Sequence, residues 1–283
     1  MCEKSTRTLM NTVMLTIVVA VIGGGPPTAE PTGKPKDDGL TYAMIVGGIN
    51  KDPTERKAKD KAVADFSRFL LERAGVPSER LSVLVQDGSP AAKEAKTSTA
   101  DNVKQQIRTV AEVIAPEDRF ILYYVGQANV VQEKLRLNLP GVDITHKQLA
   151  EWINGLKVSS MLIVLDCPGA GMAVRTLTGP DRVILCACTA EQRYSTRFSE
   201  YFVPALSGDK SDIDGDGKIS VLEAFNAACI QLDEFYHNQG LLKTETPVLE
   251  DDADGKPSEE PWRYEQNRMD GALAAKLFLS RPS

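Results

Sequence analysis

Two apolar runs in the sequence end on residues that could do chemistry. The run "FILYYV" stops at Gly126 and Gln127, and the run "SSMLIVL" stops at Asp166 and Cys167. In open parallel sheets, ligand-binding and catalytic groups lie just beyond the carboxyl ends of the strands. A cysteine there can act as a nucleophile when a neighbouring base raises its thiolate fraction. We therefore expect the two stretches to meet at one edge of a sheet.

A third stretch, "DIDGDGKISVLE" over residues 212–223, has the spacing of a calcium-binding loop. The predicted ligands are the carboxylates of Asp212, Asp214, Asp216 and Glu223, the backbone carbonyl of Lys218, and Ser220 through a water. Four carboxylates this close repel one another unless a cation is bound. The alternative is an acidic surface turn without a metal. No second complete loop follows, and "DDADGKP" at 251–257 is only a fragment, so we expect a single structural Ca²⁺ site of the EF-hand type.

The elements that must position these residues alternate along the chain. Short runs rich in Val, Ile and Leu read as buried strands, and amphipathic helices separate them. The predicted strands are "LTYAMIVGGI", "RLSVLVQDG", "RFILYYV", "SSMLIVLD" and "RVILCAC". Thr99 and Thr145 are placed to cap the helices that follow them. This pattern predicts an α/β fold, a three-layer αβα sandwich around a mostly parallel sheet.

With these motifs in order, the chain resembles the caspase/legumain-like cysteine peptidases, including bacterial caspase-like proteins, over about residues 41–280. In that family the third strand ends in a Gly-His-Gly-type turn that carries the general base. The fourth strand ends in an acidic residue, a small residue and the nucleophilic cysteine. Matched position by position, Gln127 stands where the histidine is expected and Pro168 stands where the cysteine is expected, with Cys167 one residue early.

These replacements remove the chemistry that the resemblance implies. Gln127 can form hydrogen bonds but cannot exchange a proton near neutral pH, and Pro168 has neither a thiol nor a backbone N–H. His146 and His237, the two histidines of the chain, do not match the position of the base. We therefore expect a caspase/legumain-like pseudopeptidase that binds a peptide or protein partner.

Two alternatives stay open at this point. Cys167 could be the nucleophile of an active cysteine endopeptidase, but it would need a substitute base and a local bulge, because one step along a strand reverses the side chain's direction. The acidic loop could instead mark a calcium-dependent scaffold or adhesion module. A nucleotide-binding protein is disfavoured because Gly47-Gly48 lacks the Gly-Lys-Ser/Thr of a phosphate loop.

The N-terminus has the layout of a secretory signal. Lys4 and Arg7 precede an uncharged apolar stretch, and a glycine- and proline-rich segment follows it. We predict a signal peptide or membrane anchor over residues 1–25, a flexible linker over 26–39 and the folded domain over 40–283. The protein would then be exported to the periplasm, cell envelope or medium, and a cytoplasmic location is the alternative.

Composition narrows the list of partners and cofactors. A formal net charge of −6 and a sequence pI of about 5.2 argue against a nucleic-acid partner. The five cysteines are an odd number, and Cys186 and Cys188 lie in an apolar run, so we expect buried thiols rather than a disulfide framework.

Overall fold

The structure is a computed structural model, and it describes residues 39–87, 95–264 and 270–280. The leader predicted over residues 1–25, and the predicted linker except Gly39, lie outside the described residues. All of the described residues belong to one compact unit.

A sheet of seven strands runs through the centre of this unit, in the order β3-β2-β1-β4-β8-β9-β10. Its strands are β1 (Thr41–Gly47), β2 (Leu81–Val85), β3 (Lys96–Thr97), β4 (Arg119–Val125), β8 (Ser160–Asp166), β9 (Arg182–Cys186) and β10 (Val248–Glu250). Neighbouring strands are parallel throughout, except that β10 runs antiparallel to β9 at the edge. The predicted α/β class with a mostly parallel sheet is confirmed.

Helices cover both faces of the sheet, consistent with a three-layer sandwich. Their bounds are α1 (Pro53–Glu72), α2 (Ala100–Ala111), α3 (His146–Ile153), α4 (Val174–Leu177), α5 (Phe198–Ala205) and α6 (Val221–Asn238). One core cluster joins the sheet to α1, α5 and α6, and a second joins the opposite face to α2, α3 and α4. Thr99 and Thr145 cap α2 and α3 as predicted, each through its side-chain oxygen. Within the described ranges, no helix has both the length and the apolar character needed to span a membrane.

Burial on both faces explains the continuous apolar sequence of the central strands. In β8, Leu162 and Val164 pack into one core cluster, whereas Ile163 and Leu165 pack into the other. Successive side chains of a strand point to opposite faces, so a strand between two helical layers needs apolar residues at every position. Cys167, the first residue after β8, continues this alternation and packs in the same cluster as Ile163 and Leu165.

A small antiparallel sheet follows β4. It consists of β5 (Ala128–Val131), β6 (Lys134–Leu137) and β7 (Ile144–Thr145). Gln132 and Glu133 form the two-residue turn between β5 and β6 with φ of 50° and 59°. Left-handed values at both central residues are those of the hairpin turn that matches the twist of the strands. This sheet begins one residue after Gln127 and forms one wall of the region around it.

Candidate functional site

The ends of β4 and β8 meet at one edge of the sheet, as the sequence predicted. The two strands are direct neighbours, with Val125 paired to Asp166, and Gly126 N donates to Asp166 O at 3.1 Å. Gly126 is required here, because a Cβ atom at this position would lie 2.7 Å from the Cα of Gly48. The close approach of two backbones therefore explains why so apolar a strand ends on a glycine, immediately before Gln127.

Gln127 is held in a network with an acid and a hydroxyl. Its Nε2 donates to Glu55 Oε2 at 2.6 Å and to Ser195 Oγ at 3.1 Å, and Ser195 Oγ donates to Glu55 Oε1 at 2.5 Å. Glu55 lies in the first turn of α1, whose N-cap is Asp52. The carboxylate orients the amide through charge-assisted hydrogen bonds. This position therefore carries a fixed hydrogen-bonding group that cannot take up or release a proton near neutral pH.

Cys167 points away from this network and into the core. It is fully buried and packs in the same cluster as Leu165, on the face of the sheet opposite to Asp166 and Lys59. Burial raises the pKa of its thiol well above the usual value, an effect that the neighbouring thiols of Cys188 and Cys186 reinforce. A thiol with a raised pKa and no solvent access is a poor nucleophile.

The two histidines lie in other elements and have other surroundings. His146 is buried at the start of α3, where its Nδ1 lies 3.3 Å from Leu135 O. Burial lowers the pKa of its imidazole. His237 lies exposed in the last turn of α6. In the hydrogen bonds of the described residues, neither imidazole ring contacts Gln127 or Cys167.

The backbone N–H groups at the two strand ends are also occupied. Those of Gly126, Gln127, Gly169 and Ala170 all donate to backbone carbonyls, over distances of 2.7 to 3.3 Å, and Pro168 has none. Hydrolysis of a peptide bond requires donors aimed at the oxygen that becomes negatively charged. These turns therefore offer no free pair of donors for that oxygen.

Beneath the edge lies a buried ion pair that the sequence did not reveal. Asp166 is fully buried, and its Oδ1 lies 3.0 Å from Lys59 Nζ. Thr196 Oγ1 donates to the same oxygen, and Ser199 N donates to Oδ2 at 3.0 Å. Burial alone would raise the pKa of Asp166, but the attraction of Lys59 and the hydrogen bonds hold it below its ordinary value. Asp166 therefore stays ionised, and its contacts hold α1 and the 196–199 segment at the end of β8.

A second buried acid, Glu245, lies in the irregular segment between α6 and β10 and contacts the same region. It is fully buried, both of its oxygens accept from Arg197 N at 2.9 Å, and Tyr236 Oη donates to Oε1 at 2.9 Å. Burial raises the pKa of Glu245 to about 7, and repulsion from the charge of Asp166 adds to this shift. Glu245 therefore holds a proton in the folded protein at pH values where an exposed glutamate has lost it.

Glu245→Gln is expected to flatten the pH dependence of stability. The carboxyl ionises near 4.5 in the unfolded chain but near 7 in the folded protein. Between these values the folded state binds the extra proton, so the free energy of unfolding falls as pH rises, by at most about 1.4 kcal/mol per pH unit. Urea unfolding at about pH 5 and about pH 8 measures this loss. The control is Glu191→Gln, which replaces an exposed glutamate. If the free energy of unfolding falls as much between these two pH values in Glu245→Gln as in Glu191→Gln, Glu245 is not the group that causes the fall.

A cleft of about 590 Å³ opens beside Gln127. Its lining comes from the segment after β1, the start of α1, the start of β5 and the 138–143 turn. Three acidic side chains, Asp52, Glu55 and Asp143, line it against one basic side chain, Lys51. Such a cleft favours a cationic group, because the uncompensated negative charge attracts positive ligands.

The acidic loop 212–223 brings part of its predicted ligand set together. One carboxylate oxygen each of Asp212, Asp214 and Glu223 lies within 4.8 Å of the others. Asp216 lies outside this group, and its Oδ1 accepts from Lys218 N at 2.7 Å. Loop and helix are joined through Ser220, which caps α6, with its Oγ and N both 2.8 Å from Glu223 Oε2.

The turn at the centre of this loop needs glycine. Gly217, at the position where calcium loops turn sharply, has a φ of +79°, which is unfavourable for other residues. Asp212 accepts from Gly215 N at 2.8 Å and from Gly217 N at 3.0 Å. The fold thus holds the first acid of the loop in place by backbone hydrogen bonds. Three carboxylates that could hold a metal ion are therefore brought together, and the exit helix predicted from the sequence begins at Val221.

No protein-family model matches the chain, and a comparison with curated proteins finds no match. The site residues that sequence reasoning missed are Glu55, Ser195, Lys59 and Glu245. Each lies in a different element from Gln127 or Asp166, and none is part of a recognisable spacing. Two of them carried a weak signal, since Glu55 follows a helix cap and Lys59 falls on the otherwise apolar face of α1 with Val63 and Phe66.

Proposed function

We propose that this chain is a caspase/legumain-like pseudopeptidase that binds a basic peptide segment in the cleft beside Gln127 and does not cleave it. The observation that carries the proposal is the network of Gln127, Glu55 and Ser195. Gln127 is the residue that the resemblance aligns with an imidazole, and the neighbouring third and fourth long strands, β4 and β8, support that alignment.

Burial of Cys167 argues against the alternative of an active endopeptidase. To attack a peptide in the cleft, its sulfur would have to leave the core and turn to the opposite face of β8. The leaving amine would also need a proton donor, which Gln127 does not provide. Binding without turnover requires neither change.

A cationic side chain suits the cleft for a specific reason. Glu55 accepts one hydrogen bond on each oxygen, from Ser195 and Gln127, and a carboxylate has room for about four. Asp52 uses Oδ1 to cap α1, and Oδ2 accepts no hydrogen bond from the described residues. Lone pairs of both acids therefore stay available to an arginine or lysine of a peptide.

A fluorescent peptide with a central arginine tests this proposal on the full chain. We expect fluorescence anisotropy to rise on binding, and mass spectrometry to recover the peptide intact. Glu55→Gln should weaken binding about tenfold, since a lost charge-assisted hydrogen bond costs about 1.4 kcal/mol or more. The same substitution at exposed Glu72, near the end of α1, is the matched control and should leave binding unchanged.

Two results would refute the proposal. If a peptide with aspartate in place of the arginine binds equally well, the negative charge of the cleft does not select the ligand. Cleavage of the peptide, abolished by Cys167→Ala, would instead establish the endopeptidase.

Calcium binding by the loop 212–223 is the second part of the proposal. It is supported by the convergence of Asp212, Asp214 and Glu223 and by the left-handed turn at Gly217. A single site that joins a surface loop to the start of α6 stabilises the fold rather than switching it. A scaffold or adhesion role would need, in addition, a partner whose binding depends on calcium.

A further inference from the structure

A second group of acidic side chains lies away from both sites described above. Glu250 at the end of β10, Asp252 two residues later and Asp270 at the start of the 270–280 segment each place a carboxylate oxygen within 4.8 Å of the others. The stretch 251–257 reads in the sequence as an incomplete calcium loop. The other two acids of the group lie outside that stretch. Glu250 belongs to the strand before it, and Asp270 belongs to a segment that follows later in the chain.

One oxygen in this group has no partner. Glu250 is fully buried, and its Oε1 accepts from Thr178 Oγ1 at 2.5 Å and from Gly255 N at 3.1 Å. Its Oε2 is buried and accepts no hydrogen bond. Buried polar atoms are almost always paired, and an unpaired buried carboxylate oxygen is costly. This atom therefore indicates a missing positive group.

The described residues supply no such group. Among the salt bridges of the described residues, none involves Glu250, Asp252 or Asp270. Lys256, the nearest lysine in sequence, pairs instead with Asp254, with Nζ 3.4 Å from Oδ2. With no cationic side chain of the described ranges paired to them, the three acids form a local excess of negative charge, which a bound metal ion would neutralise.

The backbone holds the three acids in position before any ion arrives. Asp251, between two of them, accepts from Gly271 N at 2.7 Å, Leu273 N at 2.8 Å and Ala274 N at 2.7 Å. In return, Asp251 N donates to Asp270 Oδ1 at 2.8 Å. These bonds tie the 270–280 segment to the end of β10, so the carboxylates face one another without any rearrangement.

We propose that Glu250, Asp252 and Asp270 bind a hard divalent cation of the Ca²⁺ class. Carboxylate oxygens are the ligands that Ca²⁺ prefers. Its coordination geometry is flexible, which suits three carboxylates that come from a strand, a loop and a distant segment. The ion would join the 270–280 segment to the sheet. The same segment reaches the first acidic loop, where Phe278 pairs with Ser220 and Leu277 O accepts from Val221 N at 2.8 Å.

Counting bound Ca²⁺ on the full chain tests this site separately from the loop 212–223. Equilibrium dialysis of the chelator-treated protein should find two ions in the wild type and one in Asp214→Asn. Glu250→Gln should also bind one ion, and Asp252→Asn should do the same. Because Asp252 is exposed, its substitution leaves the core intact and guards against a trivial loss of fold.

The control is Asp254→Asn, an exposed acid in the same loop whose carboxylate faces Lys256 and not the cluster. It should still bind two ions. The proposal is overturned if Glu250→Gln and Asp252→Asn bind as many ions as the wild type. It is also overturned if the wild type binds one ion that Asp214→Asn abolishes, a result that would leave calcium binding by the loop 212–223 intact.

Discussion

Lys59→Met is expected to lower the free energy of unfolding by about 3–5 kcal/mol. The substitution conserves most of the side chain's length but removes the cation that lies 3.0 Å from the fully buried Asp166. A buried carboxylate that loses its partner pays its desolvation cost without compensation. Lys59 Nζ also donates to Thr196 O at 2.6 Å, so that carbonyl loses a hydrogen bond as well. Urea denaturation of wild type and variant measures the difference.

Lys57→Met is the matched control for this experiment. It is the same substitution two residues earlier in α1, at an exposed position. Surface substitutions usually change stability by no more than about 0.5 kcal/mol. If Lys57→Met and Lys59→Met destabilise the protein equally, the effect would come from α1 in general and not from the ion pair.

Calcium is expected to raise the free energy of unfolding by about 2.7 kcal/mol when it is supplied at about one hundred times the dissociation constant of the loop 212–223. For a domain of this size, the rise corresponds to about 5–10 °C in melting temperature. The physical reason is the proposed binding of Ca²⁺ to the folded loop, where Asp212, Asp214 and Glu223 converge, and not to the unfolded chain. Thermal unfolding in calcium and in chelator measures the shift.

Asp214→Asn should remove the share of this shift that the loop contributes. Asp214 is exposed, so its replacement leaves the packing of α6 unchanged. Asp209→Asn, the same change at an exposed acid just before the loop, should keep the full shift. A shift that is equally large in Asp214→Asn and Asp209→Asn would show that the loop does not bind calcium.

The candidate site shows which contacts are predictable from sequence. The meeting of Gln127 with the end of β8 was predictable, because the carboxyl ends of parallel strands share one edge of the sheet. Its partners Glu55 and Ser195 were not, since they lie 72 and 68 residues away from Gln127 in the chain. No local spacing marks contacts between side chains that only the packing of α1 and a loop after β9 brings together.

The two acidic sites differ in the same way. The loop 212–223 is read directly from sequence, because all of its predicted ligands fall within twelve consecutive positions. The group of Glu250, Asp252 and Asp270 cannot be recognised from sequence spacing in this way. One of its acids belongs to a strand, and another follows about twenty positions later, after the chain has returned.

The alternation of strands and helices, the excess of negative charge, and the residue types at the two strand ends, Gln127 and Pro168, could all be predicted from the sequence. These are properties of residue type and local period, which the chain carries before it folds. Tertiary structure alone decided that Cys167 faces the core, that Lys59 neutralises Asp166, and that Glu250 keeps an unpartnered oxygen. Those outcomes depend on which distant side chains are brought together when the helical layers close over the sheet.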